Sequence, residues 1–344
     1  MTATETRPQA ATPRTLSTGA RIGIGAAVVA ATAALGMFGP PGIRSLTVLV
    51  MILSIYAVSY GVLLGFVDLP SLGQSLFFGV GAYCAILPLT RADWSLWAVL
   101  GTSLVVGLAL AFVTGTVAVR LSEAYHVIVT ALFGAVAQLA ADNFTPITGG
   151  EGGLSARIPP LRLGPWEISV YDAVPAFLLY LAFAVVAFLL MYGLVRSPIG
   201  TVWKAIRDNQ DRALSAGYNV YAYKLAAFAI VGMFTAFSGA LYAVNLRYTS
   251  TEFLGIAWSV LPFLWVLIGG TGTLTGPIIG VAIYTVFQFY VSQLWTHYLI
   301  ILGVVMIAVL RWAPQGIMGI VRPGSTRNLL ARRAAPAAEG DSDE

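Results

Sequence analysis

The run GGTGTLTGPIIG at 269–280 is where phosphate chemistry would first be sought. A phosphate loop needs G-x-x-x-x-G-K-[ST], whose lysine meets the phosphates. No Gly-Lys pair occurs anywhere in the 344 residues. Gly276 and Gly280 instead form a small-xxx-small face after a tight turn; with Gly269, Gly270 and Gly272 they are candidates for close helix packing or for lining a pathway. His126 and His297 fall near predicted helix ends, and neither has Cys, His or carboxylate at ligand spacing on the same helical face, so metal binding and proton relay lack support. Cys84 is the single cysteine, which permits neither an internal disulfide nor a multi-cysteine metal site. No G-x-S-x-G nucleophile signature is present. The chain reads as a non-enzyme that binds no metal and no cofactor of its own.

The charged segment RSPIGTVWKAIRDNQDRALSAGYNVYAYK at 196–224 carries more information. Ser197 can cap a helix and Pro198 suits its first turn. The spacing predicts a helix over 201–216, in which Lys204–Asp208, Arg207–Asp211 and Asp208–Arg212 stand i,i+4. Trp203, Ile206, Ala213 and Leu214 supply an apolar stripe between the charges, and Gly217 suits the left-handed residue that ends a helix. Lys204, Ala205, Ile206, Arg207, Asp208, Asp211, Arg212 and Gly217 are therefore the candidate docking residues for a partner. The plainer alternative is a solvated helix lying on the membrane surface, although a bare connector needs neither a cap nor exposed apolar side chains.

A second candidate region is GFVDLPSLGQSLFFGVGAY at 65–83. Asp68 is an acid in an apolar stretch, costly and usually functional at membrane depth, but next to Pro70 it can equally touch water or cap the helix that follows. Ser71, Gly73, Gln74, Ser75, Gly79 and Gly81 can present a polar or small face to a pathway, or let helices pack closely. A third is NFTPITGGEGGLSARIPPLRL at 143–163, whose Gly and Pro clusters mark turns rather than a regular element. A loop of this length is either functional or a tether, and is able to receive a substrate-delivering protein.

What must hold these residues is a membrane. Hydrophobic residues make up 58% of the chain and charged residues 10%, against about 25% charged in a soluble domain. The few Lys and Arg sit between apolar runs and not on one basic face, which sets aside a nucleic-acid role. About 20 apolar residues span a bilayer core. Seven clear candidates are 22–38, 46–64, 96–119, 127–141, 173–195, 225–246 and 299–310; the Gly/Pro-interrupted stretches 71–89, 253–268 and 276–294 are full spans or re-entrant helices. Counting about ten, with both termini cytoplasmic, puts Arg120, Arg196, Lys204, Arg207, Arg212, Lys224, Arg311 and Arg322 inside and leaves only Arg44, Arg91, Arg157, Arg162 and Arg247 outside, the asymmetry of the positive-inside rule. The expected organisation is all-α and polytopic: a disordered cytoplasmic tail at 1–20, a transmembrane domain at 21–321 with an extracytoplasmic loop at 142–172 and a charged cytoplasmic region at 196–224, and a second disordered tail at 322–344. Cleavage of the first helix as a signal peptide would put the new terminus outside, against the charge pattern.

Taken in order, SLGQSLFFGVGAY (71–83), TGGEGGL (148–154), AIRDNQDRALSAGYNVYAYKLAAF (205–228), SGALYA (238–243) and GGTGTLTGPIIG (269–280) give the chain a family look. From about 46 to 323 it resembles the LivM-type integral-membrane permease subunits of branched-chain amino acid ABC importers. The resemblance implies a pathway shared with a LivH-like second permease, two cytoplasmic ATPase subunits that hold the ATP, an extracytoplasmic substrate-binding protein, and a location in the bacterial inner membrane. It also implies that residues 205–217 transmit ATPase motion. Members typically carry Gly-Gln ahead of the Ser-Leu-Gly motif where this chain has Asp68-Leu69-Pro70, and related permeases serve urea and short amides, so the transported solute stays open between these classes. An ion-coupled secondary transporter is the competing class; the near absence of acids within the spans argues against it.

Overall fold

The computed structural model describes residues 18–92, 94–163 and 166–294, together with Gly303 and Gly316. The expected span at 299–310, His297, the tail at 322–344 and most of the tail at 1–20 lie outside the described residues.

Among the described residues twelve α-helices follow the apolar runs: α1 (Thr18–Phe38), α2 (Pro41–Phe66), α3 (Gln74–Arg91), α4 (Leu96–Ala118), α5 (Glu123–Asn143), the single turn α6 (Thr145–Thr148), α7 (Ala173–Arg196), α8 (Pro198–Asp208), α9 (Gln210–Ser215), α10 (Val220–Leu246), α11 (Ile256–Gly269) and α12 (Gly276–Leu294). Five helices among the described residues are long and apolar enough to cross a bilayer: Pro41–Phe66, Leu96–Ala118, Ala124–Asn143, Ala173–Arg196 and Val220–Leu246. Ala27–Phe38, Ile256–Gly269 and Gly276–Ser292 are shorter apolar helices. The interruptions foreseen at 71–89 and 253–268 are real. Residues 71–73 stay irregular, so α3 starts at Gln74 and not at 71, and a 3-10 turn at Thr251–Leu254 precedes α11, which carries Pro262 in its interior.

The expectation of a purely helical chain, with nothing but turns at 143–163, needs correction. Leu154–Ser155 (β1) pairs antiparallel with Tyr248–Thr249 (β4), and Leu161–Leu163 (β2) pairs with Trp166–Ile168 (β3). Two- and three-residue strands carry too little alternation to be read from sequence. Their effect is to staple the long loop onto the exit of α10, where Ala156 N also donates to Arg247 O at 3.1 Å.

α2 and α10 form the centre, with 83% of the apolar window of each buried, against 22% for α5 and 28% for α7. Close approach is built from small residues. A β-carbon at Gly81 of α3 would overlap Ala236 O of α10, and one at Gly239 of α10 would overlap Phe78 O of α3. Gly269 and Gly280 bring α11 and α12 together in the same way, against Gly276 O and Trp265 O. Lipid supplies no hydrophobic drive between helices, so packing of this kind is what holds them. Over it lies an aromatic cluster: Phe78 stacks on Tyr56 (5.1 Å) and Trp258 (4.8 Å), and Phe253 and Tyr242 meet Trp258 edge-on.

Candidate functional site

The segment between α7 and α10 folds into two helices rather than the single one expected over 201–216. Ser197 ends α7 and begins α8: its hydroxyl donates to Leu194 O (2.6 Å) and accepts from Gly200 N (3.5 Å), with Pro198 in the first turn. α8 stops at Asp208 because Asn209 turns extended (φ −166°, ψ 108°) and its side chain accepts from Arg212 N at 2.8 Å, capping α9. α9 closes in a Schellman motif: Tyr218 N donates to Ala213 O (3.2 Å) and Gly217 N to Leu214 O (2.9 Å), with Gly217 left-handed at φ 87°. Asn219 then caps α10 through Ala222 N.

The predicted i,i+4 ion pairs do not form. Arg207 pairs instead with its neighbour Asp208 at 2.9 Å, since the break at Asn209 takes Asp211 and Arg212 off the line of α8. The apolar stripe turns inward: Trp203 is fully buried with Nε1 donating to Tyr223 O (2.9 Å), and Val202, Ile206, Ala213 and Val220 make a small core of their own. Of the four stripe residues only Leu214 is exposed.

The cations divide by function. Lys204 Nζ donates to Val195 O (3.2 Å) and lies 5.7 Å over the Phe66 ring. Arg207 Nη1 donates to Gly65 O at 2.8 Å. Gly65 belongs to the last turn of α2, whose carbonyls have no helical partner and form the negative end of the helix dipole. Arg207 therefore completes α2 from a neighbouring element, and a β-carbon on Gly272 would stand 3.8 Å from the same nitrogen. Thus α8 touches both α2 and the 270–275 turn, where Gly270 (φ 107°) and Gly272 (φ 80°) reverse the chain and Thr273 Oγ1 accepts from Gly276 N to start α12. Ala205, Asp208, Asp211, Arg212 and Gly217 face outward, joined by Leu214 and Tyr218. Tyr218, 43% exposed, was missed from sequence.

The region at 65–83 proves to be a buried polar cluster. Ser59, Ser71, Gln74, Thr235 and Ser259 are fully shielded. Thr235 Oγ1 donates to Gln74 Oε1 (3.3 Å) and lies 3.2 Å from Ser59 Oγ; Ser259 Oγ accepts from Ser75 N and donates to Ser75 Oγ, both at 2.8 Å; Ser71 Oγ accepts from Gly73 N and Thr130 Oγ1 from Leu72 N. The amide nitrogen of Gln74 is shut off from solvent with no hydrogen-bond partner among the described residues. Gly73 lies against Thr130 O and Gly79 against Leu254, so both glycines, like Gly81, are packing positions. Asp68 is exposed and left-handed (φ 57°), a conformation Asp tolerates, and no side chain caps α3, which removes the capping role considered for it. His126 is buried, with Nδ1 donating to Ala118 O at 2.9 Å and its ring edge-on to Phe228.

Crossing helices packed through glycine, a polar cluster sealed among them and a latched helix pair at one end define a multi-pass membrane permease. Residues 42–310 match the family model described as branched-chain amino acid transport system / permease component, and the chain belongs to that family. It is 28% identical over 302 residues to the high-affinity branched-chain amino acid transport system permease protein LivM of Salmonella typhimurium, covering 82% of this chain and 71% of that one, with the same figures for LivM of Escherichia coli (strain K12). A probable LivM of Methanocaldococcus jannaschii is 26% identical over 156 residues, 41% of this chain and 44% of that one. No solved structure matches the chain.

Proposed function

We propose that the chain is the LivM-like half of an ATP-binding-cassette importer for branched-chain or related amino acids. It works in a bacterial inner membrane beside a LivH-like permease, two cytoplasmic ATPase subunits and an extracytoplasmic binding protein. It crosses the bilayer about ten times, with both termini and α8–α9 on the ATPase side and residues 142–172 on the other.

The observation that carries this reading is the two-faced build of α8–α9. Arg207 and Lys204 fasten the inner face to Gly65 O and Val195 O, while Asp208, Asp211, Arg212, Leu214 and Tyr218 stay outside on a pair of capped helices. A partner gripping the outer face moves α2 and the 270–275 turn through Arg207. Gln74, whose amide nitrogen is unpaired among the described residues, is the polar group the reading places next to the pathway.

The test is copurification of the ATPase subunits with the tagged chain. Reversing charges on the outer face, Asp208→Lys with Arg212→Glu, should release them while the permease pair stays intact. Retention of the ATPases by that variant overturns the assignment of α8–α9.

A further inference from the structure

At the far end of α10 from α8, a cavity of about 270 Å³ is lined by Gln138, Asp142, Glu151, Tyr248, Ser250, Thr251 and Glu252. It lies just under the usual range of small-molecule sites, about 300–1,000 Å³. Its residues come from α5, the 3-10 turn at Gly150–Gly152, β4 and the 3-10 turn at Thr251–Leu254, brought together by the β1–β4 pairing. Three carboxylates line it with no Lys, Arg or His.

The acids alone would be an ordinary solvated cluster, but the wall is built as well as charged. Ser250 and Thr251 are 4% and 3% exposed, and among the described residues neither hydroxyl has a hydrogen-bond partner. Hydroxyls left unpaired on the wall of an open cavity are free to bond a guest that enters it. None of the three acids is in an ion pair among the described residues, and the Tyr248 ring adds a face that favours cations.

The kind of cation follows from the spacing. No three carboxylates, histidines or cysteines among the described residues are grouped closely enough to hold a metal ion. A primary ammonium group needs only one or two carboxylates and can give its remaining N–H bonds to hydroxyls such as those of Ser250 and Thr251. We propose that this cavity binds a primary ammonium group. Taken with the proposed function, on which only this assignment of source rests, the group is the amino end of the arriving solute or a lysine of the protein that delivers it.

The experiment uses the full chain in lipid nanodiscs, with isopentylammonium (leucine lacking its carboxylate) and 4-methylpentanoate (leucine lacking its amino group) as probes. Isopentylammonium should bind and 4-methylpentanoate should not. The near-isosteric pair Asp142→Asn with Glu252→Gln should weaken isopentylammonium at least tenfold, while Asp172→Asn, an exposed acid on the same loop, leaves it unchanged. Glu252→Gln alone, at an exposed position, serves if the double variant does not fold and should cost about threefold. Unchanged binding in these variants, or equal binding of the carboxylate probe, overturns the proposal. Competition by L-leucine identifies the solute as the source. Absence of competition, with loss of affinity when the delivering protein's lysines are acetylated, identifies the protein; either supports the pocket. Because no ATPase is needed, a failed probe and a failed copurification report separately on the cavity and on the transporter assignment.

Discussion

At the α8 end, Lys204 and Arg207 are consumed by main-chain carbonyls and their charge serves architecture. At the other end Asp142, Glu151 and Glu252 face a cavity, with no cation among its lining residues. The two places stand the length of α10 apart, about 40 Å at 1.5 Å per residue. One end is wired internally and presents a finished surface; the other is left chemically incomplete. The lesson is that in a chain this poor in charge, whether a charge is satisfied internally says more than where it falls in the sequence.

The contrast is lost altogether if α10 does not hold its two ends in a fixed relation. Gly239→Leu forces a side chain into Phe78 O, and the expected outcome is loss of monodisperse protein in size-exclusion chromatography, equivalent to several kcal/mol of overpacking. Next in size is Arg207→Ala. It should leave ATPase copurification intact yet lower ATP-driven uptake in proteoliposomes about tenfold or more, because the fastening to Gly65 O is gone while the outer face is untouched. Equal loss of association and uptake would erase the distinction between inner and outer faces. Asn209→Ala removes the cap of α9 and should cost about 1 kcal/mol, read as a lower melting temperature, and it should straighten the α8–α9 joint enough to weaken ATPase binding severalfold. The smallest expected effect is that of Ser259→Ala, about 1 kcal/mol for a buried hydrogen bond, again measured by thermal melting, with leucine uptake retained.

Much of this was legible in the sequence because the features are local. Ser197, Pro198 and Gly217 announce their caps within a few residues, and the long apolar runs announce α4 and α7 almost to the residue, whereas α2 and α10 begin about a turn and a half earlier than their runs. What escaped depends on distant partners. The pairs 204/208, 207/211 and 208/212 argued for one continuous helix, but in the structure Asn209 turns extended and caps α9. With the break in place, Ile206 and Ala213 still share one small core with Val202 and Val220. Arg207 could not be assigned inward, since its acceptor lies 142 positions earlier in the chain. The cavity was invisible for the same reason: its acids are separated by most of the chain's second third and meet only through a two-residue strand pairing.

The reciprocal seats of Gly81 on Ala236 O and Gly239 on Phe78 O work as meshed teeth. With main chain against main chain at two levels, α3 cannot ratchet along α10 without one tooth riding over the other, so the pair travels as one solid piece. α5 and α7, with only 22% and 28% of their apolar windows buried, lie outside that solid piece.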